Sequence, residues 1–134
     1  PLDNILSIYR AHFNKGSTYS SNLTHCAKVY LDQDSIMTKY KKLYPMNIYE
    51  LNYDSLVKSP REEISSLIDW LGWEWNETYL EPENNSRSVF TRSNVEVRLK
   101  INSKSLNNWK NYKEMLSPAI DIITSQKKYS FLIN

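Results

Sequence analysis

The sequence is short of glycine, nearly free of cysteine and without any long apolar run. Two glycines in 134 residues are few for an α/β fold, whose turns draw on glycine's backbone freedom. One cysteine, Cys26, excludes an intrachain disulfide. It fits a reducing compartment, with the cytoplasm favoured. No apolar stretch approaches the roughly 18 residues that a membrane-spanning helix needs. The net charge of +2 gives no overall pull toward nucleic acid or a membrane surface. His12, His25 and Cys26 lack the ligand spacing of a structural zinc site. There is no Gly-x-Ser-x-Gly elbow and no glycine-rich phosphate loop. A complete catalytic set is therefore not visible.

What is present suits one small domain. Forty per cent of the residues are hydrophobic, with ten Tyr and four Trp, enough for a core. The stretch from Asn47 to Pro60 reads as a buried strand handing over to helices. Ile48, Leu51, Tyr49 and Tyr53 are types that fit a pleated surface. Asp54 offers a cap for the turn after it, and Ser59-Pro60 opens the next helix. Ligands of open α/β sheets bind at the carboxyl ends of strands. Tyr53 is thus a candidate ligand contact, against the plainer reading of a packed ring with its hydroxyl in water.

Helices are expected elsewhere. Ile5, Leu6, Tyr9 and Phe13 recur at helical spacing over 2–14. Ser7 and Arg10 share a face of that helix, and a hydroxyl beside a guanidinium can hold a phosphate. A second helix runs from Ser20 or Ser21 to about Lys42, with Leu23, Cys26, Tyr30, Met37 and Tyr40 inward. Ser59-Pro60-Arg61-Glu62-Glu63 is a strong helix start, and Gly72 a left-handed stop. Residues 78–88 are polar and read as a loop. Ser105 is placed to cap a short helix through Trp109, and a last helix covers 112–125. From Arg98 to Lys113 there are five cations and no acid. Ser7, Arg10, Tyr53, Ser93, Arg98 and Lys104 together suit an anion such as a nucleotide phosphate.

The order of short motifs resembles one family. Pro1-Leu-Asp3-Asn-Ile-Leu-Ser7 is similar to the 3′-phosphate motif of sulfotransferases, Arg-x-Pro-x-Asp-x-x-x-Ser. Tyr53-Asp-Ser-Leu56-Val57-Lys-Ser-Pro60 resembles their Tyr-Glu-x-Leu-Val-x-x-Pro element, and Leu71-Gly72-Trp-Glu-Trp75 the Leu-Gly-Leu-x-Trp after it. Thr91-Arg-Ser93-Asn-Val-Glu96-Val97-Arg98 resembles the Thr-x-Ser-x-x-Gln-Val-Arg of bacterial sulfotransferases that follow tetratricopeptide repeats. Ser105-Leu-Asn107-Asn108-Trp109-Lys-Asn-Tyr112 is similar to Ser-x-Gly-x-Trp-x-x-Tyr.

The resemblance implies an α/β fold: the C-terminal portion of a P-loop-type sulfotransferase domain, mostly helical with one or few parallel strands, over residues 1–134. It implies 3′-phosphoadenosine 5′-phosphosulfate (PAPS) as sulfuryl donor and a hydroxyl or amine as acceptor, with tetratricopeptide repeats as upstream neighbours. Ser7 would bind the 3′-phosphate, and Tyr53 would contact the adenine side. Ser93 would steady the transferring sulfuryl group. Arg98 and the basic stretch with Lys104 would help with phosphates. The motif's first arginine, the 5′-phosphosulfate loop and the general base are expected upstream of Pro1, so the chain alone is expected to be inactive. Asn108 stands where relatives often carry Lys or Arg, and Glu96 replaces the usual Gln. The rival readings are a non-catalytic helical interaction module, favoured by Asn108, and a P-loop kinase of small molecules.

Overall fold

Leu2, Ile5 and Leu6 fall on one side of the first helix, and all three are buried. The computed structural model describes residues 1–11, 17–85 and 99–133. Their α-helices are α1 (Leu2–Ala11), α2 (Leu23–Leu43), α3 (Tyr53–Lys58), α4 (Pro60–Leu71) and α5 (Ser117–Thr124), joined by short 3-10 turns. The chain divides into two units, one of residues 1–45 with 107–134 and one of 46–106.

The first unit is built on α1, α2 and α5. The apolar side of α1 meets Cys26 and Ala27 of α2, and Leu116, Ala119, Ile120 and Ile123 on and before α5. Asn22 caps α2 by accepting the His25 backbone N–H at 3.0 Å. This replaces the expected cap at Ser20 or Ser21. Ser20 instead turns inward and donates to the Ser17 carbonyl at 2.8 Å. The Cys26 thiol donates to the Tyr19 carbonyl at 3.3 Å, and burial pushes its pKa up. It is a packing residue, held as a thiol. Ser117-Pro118 opens α5 later than the periodicity suggests, with proline in its first turn. The tail folds into a 3-10 segment over Lys127–Ile133 that buries Tyr129.

Core cover along α2 stops partway. Met37 and Tyr40, expected inward, are 41% and 47% exposed. Length explains this: α5 spans about 12 Å at 1.5 Å per residue, and α2 about 30 Å.

The second unit corrects the expected fold class. Among the described residues there is no strand. The stretch read as a buried strand is irregular from Ile48 to Asn52 and then becomes α3. An extended segment becomes a strand only by pairing, and a parallel partner lies far away in sequence. Aromatic and β-branched residues report fit to a pleated surface, not the presence of a neighbour. Here Asn52, not Asp54, is the cap, accepting the Ser55 N–H at 3.0 Å. Tyr49 packs on Trp70 with ring centres 5.5 Å apart.

Helix α4 follows its sequence signals. Pro60 occupies the first turn with Glu62 and Glu63 beside it. Gly72 adopts φ +68° and ends the helix. Its N–H reaches the Asp69 carbonyl, and the Trp73 N–H reaches Ile68, both at 3.0 Å. These paired bonds satisfy carbonyls that the helix end leaves open. Trp73 itself stays 59% exposed.

Trp75 is tied into a clamp. Arg61 grips both Glu77 carboxylate oxygens at 2.9 and 2.6 Å. The Trp75 indole N–H donates to the same carboxylate at 3.0 Å, and the guanidinium lies 5.5 Å over the indole. Arg61 first, and Trp75 second, hold the Glu77 pKa down at about 2. A carboxylate depressed on folding contributes stability above its unfolded pKa and loses it as pH falls through the folded value. The clamp's contribution is therefore whole above about pH 4.5 and fades toward pH 2. Urea midpoints of wild type and Glu77→Gln are expected to differ at pH 6 and to converge at pH 2. The side chains are well exposed, so 1 M salt should shrink the difference at pH 6.

Candidate functional site

The polar face of α1 carries Asp3, Ser7 and Arg10, at i, i+4 and i+7 on one helix stripe. Both ends of that stripe touch the segment Asn107–Tyr112. At one end the Asp3 carboxylate accepts the backbone N–H groups of Asn107 and Trp109, each at 2.8 Å. At the other end the Arg10 guanidinium stacks over the Tyr112 ring, 5.7 Å from its centre. Ser7 lies on the stripe between these two contacts. It is exposed, and its hydroxyl has no hydrogen-bond partner among the described residues. A guanidinium carries five N–H donors, so one lying over a ring can still donate to an anion.

The segment opposite is unusually fixed. Asn107 sits at φ +57°, in the left-handed region. Asparagine tolerates that region better than most side chains. Its place is where the resembling motif carries glycine, so one conformational need explains both residues. Asn107–Trp109 was expected to lie in a helix capped by Ser105. The 3-10 segment in fact starts at Asn108 with no side-chain cap of its own. Asp3 supplies the missing acceptor. Trp109 is buried beneath the turn.

A second polar cluster lies elsewhere in the first unit, around a cleft of about 360 Å³ lined by Lys28, Asp32, Ser35 and Gln126 among others. Asp34 accepts from Lys128 through both oxygens, at 2.7 and 2.9 Å. Burial works to raise its pKa, but Lys128 and the Tyr129 hydroxyl outweigh that and lower it. Tyr30 and Tyr129 meet edge to face at 6.1 Å, and burial raises both phenol pKa values. A paired carboxylate and two neutral phenols make a clamp for the tail, not a base or a nucleophile.

The remaining sequence candidates are spread. Tyr53 opens α3 in the second unit and is 52% exposed. Lys104 is exposed in a turn of the same unit, its backbone N–H donating to Asn102 at 3.1 Å. Ser93 and Arg98 lie outside the described residues. Ser7 and Arg10 are thus brought together on α1. The sequence reading left out the Asp3 bonds and the Tyr112 stack. Their signal was present in part, since Asp3 has the same helical spacing from Ser7 as a facing neighbour.

The α1 stripe and Tyr53 fall within residues 1–77, which match a family model described as the sulfotransferase family. The chain belongs to the sulfotransferase family. Ser93, Arg98 and Lys104 lie beyond the matched span. This sulfotransferase-family chain is also similar to an uncharacterized protein of Aquifex aeolicus (strain VF5), at 33% identity over 125 residues. The similarity covers 91% of the chain but 16% of that protein. No solved structure matches. Among the described residues no helix is long and apolar enough to cross a membrane.

Proposed function

We propose that this chain supplies the 3′-phosphate side of the nucleotide site in a PAPS-dependent sulfotransferase acting on a hydroxyl or amine. The observation that carries the reading is the α1 stripe. A serine hydroxyl, exposed and without a partner among the described residues, shares one helix face with an exposed arginine, held against Asn107–Tyr112. A hydroxyl donor plus a guanidinium fits a phosphate dianion in both charge and hydrogen-bonding capacity. PAPS, when bound, brings the sulfuryl group to be transferred. The chain's part is to bind and orient its nucleotide end. In this reading Ser7 and Arg10 hold the 3′-phosphate, Tyr53 contacts the adenine side, and Arg98 and Lys104 add positive potential. Ser93 steadies the sulfuryl group, and the residues that activate the acceptor lie outside residues 1–134. The chain is then a C-terminal part of one sulfotransferase domain, of the kind that follows tetratricopeptide repeats.

The test is a calorimetric titration of adenosine 3′,5′-bisphosphate into the protein at its full natural length. A hydrogen bond to a charged group contributes about 1.5–3 kcal/mol, so Ser7→Ala is expected to weaken binding roughly 10- to 100-fold. Equal affinity in the variant would remove Ser7 from the site. Asn108 favours a second reading, a helical interaction module that keeps the fold without catalysis, because a cation is missing there. A folded full-length protein that ignores the bisphosphate supports that module.

A further inference from the structure

The Asp3 carboxylate is oddly placed for a residue four positions from a phosphate-holding serine. A free carboxylate there would repel the ligand. It is not free. Each oxygen accepts one backbone N–H at 2.8 Å, from Asn107 and from Trp109, on either side of Asn108. Both donors lie more than 100 positions away along the chain. The turn they form needs help, since Asn107 is the one non-glycine residue with positive φ among the described residues. Charged acceptors on backbone N–H groups make strong, directional bonds. Asp3 also sits in the first turn of α1, where a carboxylate is favoured.

We propose that Asp3 is a positioning residue of the phosphate-holding face, whose carboxylate fixes the Asn107–Trp109 turn so that Asn108–Tyr112 forms one wall beside Ser7 and Arg10. This rests on the assignment of Ser7 and Arg10 to the 3′-phosphate. Asp3 does not touch the ligand. It prepares the ground Arg10 stands on, because Tyr112, which stacks with Arg10, belongs to the same 3-10 segment. A preformed wall avoids the cost of ordering loop and side chains when the ligand binds.

The experiment measures two dissociation constants in the full-length protein, for adenosine 3′,5′-bisphosphate and for adenosine 5′-phosphate, which lacks the 3′-phosphate. Asp3→Asn keeps the shape but leaves one backbone N–H facing an amide NH₂. It is expected to weaken the bisphosphate about tenfold and the monophosphate less than about twofold. Asn107→Ala attacks the same turn from the other side with Asp3 intact and should give the same selective loss. Asn107→Gly, which keeps the backbone conformation, should behave as wild type. Hydrogen exchange of the Trp109 amide should quicken in Asp3→Asn. Equal losses for both nucleotides, or no loss, would overturn the role of Asp3 while leaving Ser7 and Arg10 in place. A wild-type protein that does not prefer the bisphosphate would overturn the assignment of the face and Asp3's role with it. Were Asp3→Asn to misfold, the two Asn107 variants would decide alone.

Discussion

Ile123→Ala is expected to lower stability by about 2–5 kcal/mol, measured as the shift in urea unfolding midpoint. Ile123 is 0% exposed and belongs to the cluster that joins α1, α2 and α5. Three methylene or methyl groups vanish there, and the surrounding helices can close the gap only in part. Domains of this size are stable by roughly 5–15 kcal/mol, so one substitution would remove a large share. Met115→Ala serves as control. Met115 lies close by in sequence but is 40% exposed, and its loss should stay within about 1 kcal/mol. An Ile123→Ala shift no larger than the Met115→Ala shift would show that α5 does not anchor the core.

The second large effect concerns the proposed ligand face. Ser7→Asp should abolish measurable binding of adenosine 3′,5′-bisphosphate, with a loss of at least about a hundredfold. The substitution removes a donor and sets a negative charge where the proposed site holds a phosphate. Ser7 is exposed in the middle of α1, so the fold should tolerate the change. Far-ultraviolet circular dichroism checks that. The loss should shrink in high salt, because repulsion between exposed charges is screened. Salt-independent loss would point to a disturbed helix instead of a charged site. Ser7→Asp with wild-type affinity would take the ligand off this face altogether.

Part of this could be read from the residues. Local signals held where the structure is local. The run Ser59-Pro60 to Glu63 opens α4, and Gly72 closes it, because caps and left-handed stops are settled within a few residues. The shared face of Ser7 and Arg10 follows from helix geometry alone. The strand proposed from Asn47 failed for the opposite reason. A strand is defined by its partner, and composition says nothing of whether one is there. The inward reading of Met37 and Tyr40 failed similarly, since periodicity marks a stripe but not the length of what covers it. Asp3 shows the limit most clearly. Its bonding partners stand 104 and 106 positions away, and no local pattern links them.

The first unit is also discontinuous. It takes residues 1–45, skips 46–106, and resumes at 107. This has a consequence for the growing chain on the ribosome. Leu2, Ile5, Cys26 and Ala27 emerge before residues 46–106, and Leu116, Ala119 and Ile123 after them. At about 5–20 residues per second, the intervening segment alone takes roughly 3 to 12 seconds to synthesise. For that interval the apolar sides of α1 and α2 lack their α5 partner, a window in which chaperones can engage them. The second unit, by contrast, is continuous in sequence, from residue 46 to residue 106. Translation order thus keeps the first unit's core incomplete until residues 107 onward have been made.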